Sequence, residues 1–363
     1  MANKITSSIG LHAPAIRLSG KDGMLRVAAR GPAAVLEAHI AMTGETADPW
    51  APGYAYVSAR KLHEVSKDFT TEQVAVEYNA KGVTLQSGVA SYRLNRLMMD
   101  EEDITLPKDE NNAVLHVKAG QLASLFSTVC QGVNGTDPAH SVVLAVGRDY
   151  LVCQAMDRDR LVSALTLRAG TRDESEMQVV IAAAARPLLR GFGKDEEVEL
   201  RLGKENLVLT GKRLTLSLNC LAEEPPRPPF RLHVRHPIEI RIPKRHLAAG
   251  LRRAARLTSP SSRVARFFFK KEPPRLTITT ANKRGMSTET LEKGLVCSRW
   301  TSCASVLEVA LNPKHLQAAM APVRDVVRMG LGGPLEPVHI IGEGYGAAIM
   351  PVALSQASSG VPR

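Results

Sequence analysis

Residues 238–257 read IEIRIPKRHLAAGLRRAARL. Ile238, Ile240 and Ile242 alternate with Glu239 and Arg241, the period of two expected of a half-buried strand. From Pro243 the period changes. At 100° per residue, Leu247, Ala248, Leu251, Ala254 and Ala255 fall in one arc of about 120°, while Arg245, Arg252, Arg253 and Arg256 fall in an arc of about 100° on the other side. Pro243 suits a first helical turn, where its missing N–H costs nothing. The stretch therefore predicts a strand feeding an amphipathic helix over 243–257, apolar behind and arginine-rich in front. Taken alone, such a front suits a merely solvated face or one turned toward a polyanion.

The same unit recurs along the chain. Val114-Leu115-His116-Val117 leads into KAGQLASLFSTVCQ, and strands such as SVVLAVGRDYLVCQA follow, as RFFFKKEPPRLTITTA follows the stretch above. A second series interleaves with this one. Tyr56-Val57-Ser58-Ala59-Arg60-Lys61-Leu62 opens a strand and helix followed by EQVAVEYNAKGVTLQSGVASYRL. Val179-Val180-Ile181 with helix AAAARPLLRGF precedes EEVELRLGKENLVLTGKRLTLSL, and Val309-Ala310-Leu311 with helix NPKHLQAAMAPV precedes VVRMGLGGPLEPVHIIGEGYGAAIM. Alternating strands joined by Asn/Gly turns make each an α+β unit of strand, helix and strands, two of which form a domain of roughly 120 residues. Boundaries are expected near Pro107–Asn112 and in the Pro-rich run 223–237, giving domains 1–110, 111–230 and 231–363. Before Ala15 no strand and helix pair is read in the sequence, so the first domain is expected to lack its opening strand and helix.

Composition narrows the class. The 363 residues carry 47 Lys plus Arg against 36 Asp plus Glu, a formal net charge of +11. Between Pro225 and Arg275 lie 14 Lys/Arg and two acids, a net of +12, so one stretch holds the whole excess and points to a polyanion partner. At 44% hydrophobic and 23% charged the chain reads as globular, without an apolar run that could span a bilayer or a signal-peptide core. Cys130, Cys153, Cys220, Cys297 and Cys303 form no CxxC, which predicts buried thiols in a reducing cytoplasm and no structural zinc. Aromatics at 4% are too sparse for a base-stacking platform.

Three local signatures, in order across the repeats, carry a family resemblance. Ala155-Met156-Asp157-Arg158-Asp159-Arg160-Leu161 is similar to an A-T-D-x-H-R-L run, Val57-Ser58-Ala59-Arg60-Lys61 to V-P-A-R-K, and Ile349-Met350-Pro351-Val352-Ala353-Leu354 to V-M-P-M-R-L. From about Ala15 to Leu354 the chain resembles the bacterial DNA polymerase III β subunit, the sliding clamp. The resemblance implies three repeated DNA-clamp domains with helices inside and sheets outside a homodimeric ring around double-stranded DNA. It implies partners that dock by short peptides, the DNA polymerase III α subunit among them, and a clamp loader. Tethering of this kind raises effective concentration and needs no active site, cofactor or metal.

Carried over by position, Arg245, Arg252, Arg253 and Arg256 would face DNA phosphates. Met156, Arg160, Leu161, Leu335, Met350, Pro351, Val352 and Leu354 would line a peptide pocket, with Pro225 or Pro226 as its wall. Lys61, Tyr92 and Leu94 of the first domain and Leu257 of the third would meet at the dimer interface. The chain departs from the pattern at Met156 (usually Thr), Asp159 (usually His), Arg256 (usually apolar) and in the nine residues after Leu354. These departures leave room for a diverged clamp-fold interaction protein that binds partner peptides without loading on DNA. A DNA-modifying enzyme is the third class considered. It needs clustered carboxylates or a metal site, and Asp157 and Asp159 are bracketed by arginines with no His or Glu at ligand spacing. Gly342-Glu343-Gly344-Tyr345-Gly346 lacks the following helix of a phosphate loop and reads as a strand-to-strand turn. His233 and His236 lie in the Pro-rich run with no Cys partner.

Overall fold

The computed structural model describes residues 15–31, 33–43, 53–79, 81–99, 104, 106, 113–133, 141–147, 150–157, 159–167, 177–221, 235–258, 263–282 and 285–353. Through residue 99 the elements are β1 (Ala15–Lys21), β2 (Met24–Gly31), β3 (Ala34–Ala41), β4 (Ala55–Ser58), α1 (Ala59–Ser66), β5 (Ala75–Asn79), β6 (Gly82–Ser87) and β7 (Ala90–Asn95). Next come β8 (Ala113–Lys118), α2 (Ala119–Gly132), β9 (Ser141–Val146), β10 (Tyr150–Met156), β11 (Arg160–Leu167), β12 (Met177–Ala182), α3 (Arg186–Leu189), β13 (Glu197–Leu202), β14 (Asn206–Thr210) and β15 (Leu214–Asn219). The last third holds β16 (Ile238–Pro243), α4 (Lys244–Arg256), β17 (Ala265–Lys270), β18 (Arg275–Asn282), β19 (Gly285–Leu291), β20 (Val296–Trp300), β21 (Val306–Leu311), α5 (Pro313–Ala319), β22 (Val326–Leu331), β23 (Val338–Gly342) and β24 (Tyr345–Ile349). Strand, helix and three strands thus recur in chain order, as the sequence periodicity predicts. The expected absence of an opening helix falls on residues 1–14, outside the described residues.

Two compact units form. One comprises residues 1–124 and 170–222, the other 125–169 and 223–363. In the first, an antiparallel sheet runs β4-β1-β2-β3-β15-β14-β13-β8, joining strands from two sequence repeats through the β3–β15 pair, where Leu36 opposes Leu216. A second sheet, β5-β6-β7, completes this unit. In the other unit, consecutive strands run β9-β10-β11-β24-β23-β22-β16-β20, and a separate sheet runs β19-β18-β17-β21. Here β11 and β24 join the repeats, Val162 opposing Ala347. At the β23–β24 turn Gly344 has φ +61, a conformation glycine adopts without a Cβ penalty, and its carbonyl accepts the Leu165 N–H at 2.8 Å.

Helix ends follow local chemistry. Ser58 caps α1 through its side chain, and Asn312 caps α5 by accepting the Lys314 N–H at 3.0 Å ahead of Pro313 in the first turn. The predicted 11-residue helix 182–192 is instead a 3₁₀ turn, Ala183–Ala185, followed by the single turn α3. Pro187 sits at the start of α3 and donates no N–H to continue one helix through both. Pro243 is corrected by one position. It ends β16 as the N-cap of α4, with ψ 124, and the helix begins at Lys244. Of the five free thiols, Cys130 and Cys153 are buried as expected, but Cys303 is exposed because it lies in the loop between β20 and β21. No described helix is long and apolar enough to cross a membrane.

Candidate functional site: an arginine stripe and a sheet end

Helix α4 packs on β18 and β19 through Leu247, Gly250, Leu251 and Ala254, all buried. Arg245, Arg252, Arg253 and Arg256 are exposed on the opposite side, as the 3.6-residue period predicts. Their surroundings divide them. Arg253 donates from Nε to Glu289 Oε2 of β19 at 2.7 Å, and from Nη2 to Oε1 of the same carboxylate. This bidentate pair neutralises Arg253 and holds Glu289 below the usual carboxylate range, chiefly through the hydrogen bond. Arg245, Arg252 and Arg256 carry no such partner among the described residues. Seven and four residues apart, they share one stripe within about 40°, at rises of about 10 and 6 Å.

The stripe runs against the helix's own electrostatics at one end. Arg253 and Arg256 in the last turn complement the carbonyl end, but the first turn contains no acid and begins with Lys244 and Arg245. Lys244 is relieved by its fold partners: its Nζ donates to the carbonyls of Ala321 (2.7 Å) and Val323, beyond α5. Arg245 has no comparable relief.

The second group of expected residues gathers at one end of the large sheet in the same unit. Met156 opposes Leu161 across the β10–β11 turn, and Arg160 opposes Ile349, which also opposes Val338. The β10–β11 turn, the exit of β24 and the β22–β23 turn carrying Leu335 therefore stand side by side. The chain leaving β24 is tied down twice: Met350 N–H donates to the Asp159 carbonyl at 2.8 Å, and Val352 N–H to Ala310 at 2.8 Å. Leu335 and Val352 are exposed, Met156, Met350 and Pro351 half-buried and Leu161 buried. Pro225 and Leu354 lie outside the described residues.

Arg160 stands at the same sheet end but is buried: its side chain is 6% exposed and enters the interior. Nε and Nη2 both reach Asp157 Oδ2, while Nη1 and Nη2 donate to the carbonyls of Gly132 (3.2 Å) and Val133 (2.6 Å) at the end of α2. Those carbonyls have no intrahelical partner, and a buried guanidinium satisfies both. Asp157 also accepts the Asp159 N–H at 3.0 Å, so one carboxylate shapes the turn and pairs the buried charge. His315 of α5 adjoins this cluster. Burial, then Arg160, holds its imidazole below the ordinary range. Sequence reading singled out the acids but not this use of them. The spacing Asp-x-x-Arg across a hairpin turn is the available signal.

Of the interface residues, Lys61 is exposed and pairs with Glu64 at 2.9 Å, and Tyr92 donates to Asp68 at 3.2 Å. Leu94 is buried within its own unit, because Leu94 opposes the buried Val83 on the inner face of β5-β6-β7. β7, which carries it, is an edge strand of that sheet. Leu257 is the half-buried C-cap of α4, its carbonyl accepting from Asn282 Nδ2 at 2.9 Å.

No family model matches the sequence, and no curated protein does either. Solved structures do match in fold. The DNA polymerase III subunit β from Pseudomonas aeruginosa aligns over 97% of this chain and 98% of its own, with TM-score 0.82 at 16% identity. The β subunit from Thermotoga maritima aligns over 98% and 97%, with TM-score 0.80 at 16% identity. The DNA polymerase sliding clamp from Bacillus subtilis aligns over 98% and 97%, with TM-score 0.81 at 17% identity. Along nearly its whole length, the chain has the fold of bacterial DNA polymerase III β subunits.

Proposed function

We propose that the chain is a divergent bacterial sliding clamp, a processivity factor without an active site of its own. In this reading residues 1–110, 111–230 and 231–363 are three clamp domains, and two chains close a ring around duplex DNA in the cytoplasm. Polymerase III α subunit and other clients dock a short peptide at the sheet end around Met156, Leu335, Met350, Pro351 and Val352, and a loader opens the ring. The observation that carries the reading is the stripe Arg245, Arg252, Arg256, set on a helix whose opposite side packs through the buried Leu247, Gly250, Leu251 and Ala254. Three cations in line along a helix, without an ion-pair partner among the described residues, suit phosphate contacts with no base readout, the chemistry that sequence-independent sliding requires.

The test replaces Arg245, Arg252 and Arg256 together by Glu. Retention on nicked circular duplex DNA is expected to fall at least tenfold with an unchanged urea midpoint. Retention equal to wild type removes the stripe from DNA contact. Arg253 is left in place, since Arg253→Glu would set a second carboxylate against Glu289 and disturb the fold itself.

A further inference from the structure

The strand register of the large sheet draws two neighbouring rows of side chains across the face away from α4. One row runs Met156, Leu161, Ala348, His339, Gly330, Glu239, Arg299, from the sheet end described above. The next runs Ser163, Gly346, Ile341, Arg328, Arg241, Val296. Ile238, Ile240 and Ile242 point inward and are buried, which sends Arg241 outward. Arg328 lies directly opposite it on β22.

Two guanidinium groups facing each other across a strand pair repel. Three arginines near this face of the unit are matched: Arg299 with Glu239 at 2.7 Å, Arg275 with Glu292 at 2.5 Å and Arg266 with Glu308 at 3.6 Å, whereas, among the described residues, those of the α4 stripe are not. Arg241 and Arg328 are both exposed and have no ion pair among the described residues. Beside them Val296 is 53% exposed and Val326, which opposes Pro243, is 47% exposed.

We infer that this row receives the acidic flank of the partner peptide whose apolar part sits at the sheet end. The inference rests on the peptide-docking reading above and adds the charge that the peptide must carry. Leu161 and Arg328 lie three strands and one row apart, about 16 Å, which about five residues of extended peptide span. Paired guanidinium forks bind carboxylates with directional hydrogen bonds, and the flanking valines accept apolar neighbours of those acids. A phosphate backbone makes no use of the valines, so an acidic peptide fits the row better than nucleic acid.

Two synthetic peptides test this by fluorescence anisotropy on the full chain at low ionic strength. They share a Leu-Phe anchor, flanked on both sides by six glutamates in one and by six glutamines in the other. The glutamate peptide is expected to bind at least fivefold tighter. Arg241→Thr with Arg328→Thr should erase that difference and leave the glutamine peptide unchanged, and the double Glu variant should invert the preference. Equal binding of the two peptides by wild type overturns the acidic-flank inference alone. Binding of neither overturns the docking reading beneath it. Loss of affinity for a 20-bp duplex in the Thr variant, with peptide discrimination intact, reassigns the row to DNA.

Discussion

Arg160 is a single residue holding three features together: the turn at Asp157, the end of α2 and the start of β11. Removing one partner of a buried, hydrogen-bonded pair leaves the other charge unmatched. Arg160→Ala is therefore expected to cost about 3–5 kcal/mol, read from the urea midpoint. Arg160→Lys should recover little, because a point charge cannot serve Asp157 and two carbonyls at once. Two histidines contribute to the acid response. Burial holds His236 below the ordinary imidazole range, despite the opposing fields of Glu239 and Glu336, and His315 is depressed in the same way. As pH falls below about 6.5 the unfolded chain takes up protons that the folded chain refuses, so this part of the stability is full above that pH and declines below it. The urea midpoint should drop between pH 6.5 and 5.5, and His236→Phe should drop less steeply. A parallel pH profile in the variant would assign the loss elsewhere.

At the scale of the element, α4 was legible because its two faces are separated by composition as well as by period. Its internal glycine was not. A Cβ built on Gly250 would lie 3.4 Å from Ile278 Cδ1 and 3.6 Å from Leu291 Cδ1, ordinary contact. Gly250→Ala is expected to stabilise the protein by about 0.5–1 kcal/mol through helix propensity, seen as a raised melting temperature. Gly120 in α2 gives the opposite outcome. Its Cβ would strike the backbone carbonyl of Lys194, which accepts the Gly120 N–H at 3.0 Å. Gly120→Ala should lower the melting temperature, although both substitutions look alike in sequence. The short α3 is a local effect by contrast, since Pro187, visible in the sequence, donates no N–H to continue one helix from Ala183.

For the whole molecule, the proposed ring makes a claim about mass and about the C-terminus. Light scattering on the full chain is expected to give about twice the 39.3 kDa of one chain. A persistent monomer would favour an interaction protein that never closes. Truncation before Met350 removes the ties to Asp159 and Ala310 and the apolar residues beside them, so binding of a polymerase tail peptide should be lost. The core of β24 remains in that truncation, and retained peptide binding would move the docking site off this sheet end.

The opening stretch, IEIRIPKRHLAAGLRRAARL, determined its own strand, its own helix and which side of that helix is charged, because period and polarity act over a few residues. Repetition of that pattern determined the α+β class and the order of elements. Which cations stay available was decided only by the tertiary structure: Arg253 meets Glu289 across 36 residues and Lys244 meets Ala321 across 77. The same holds for the face-to-face pair Arg241 and Arg328, for the burial of Arg160 and for the inward turn of Leu94. Sheet register and side-chain pairing join residues far apart in the chain. Their charge balance is set by neighbours that no local window contains.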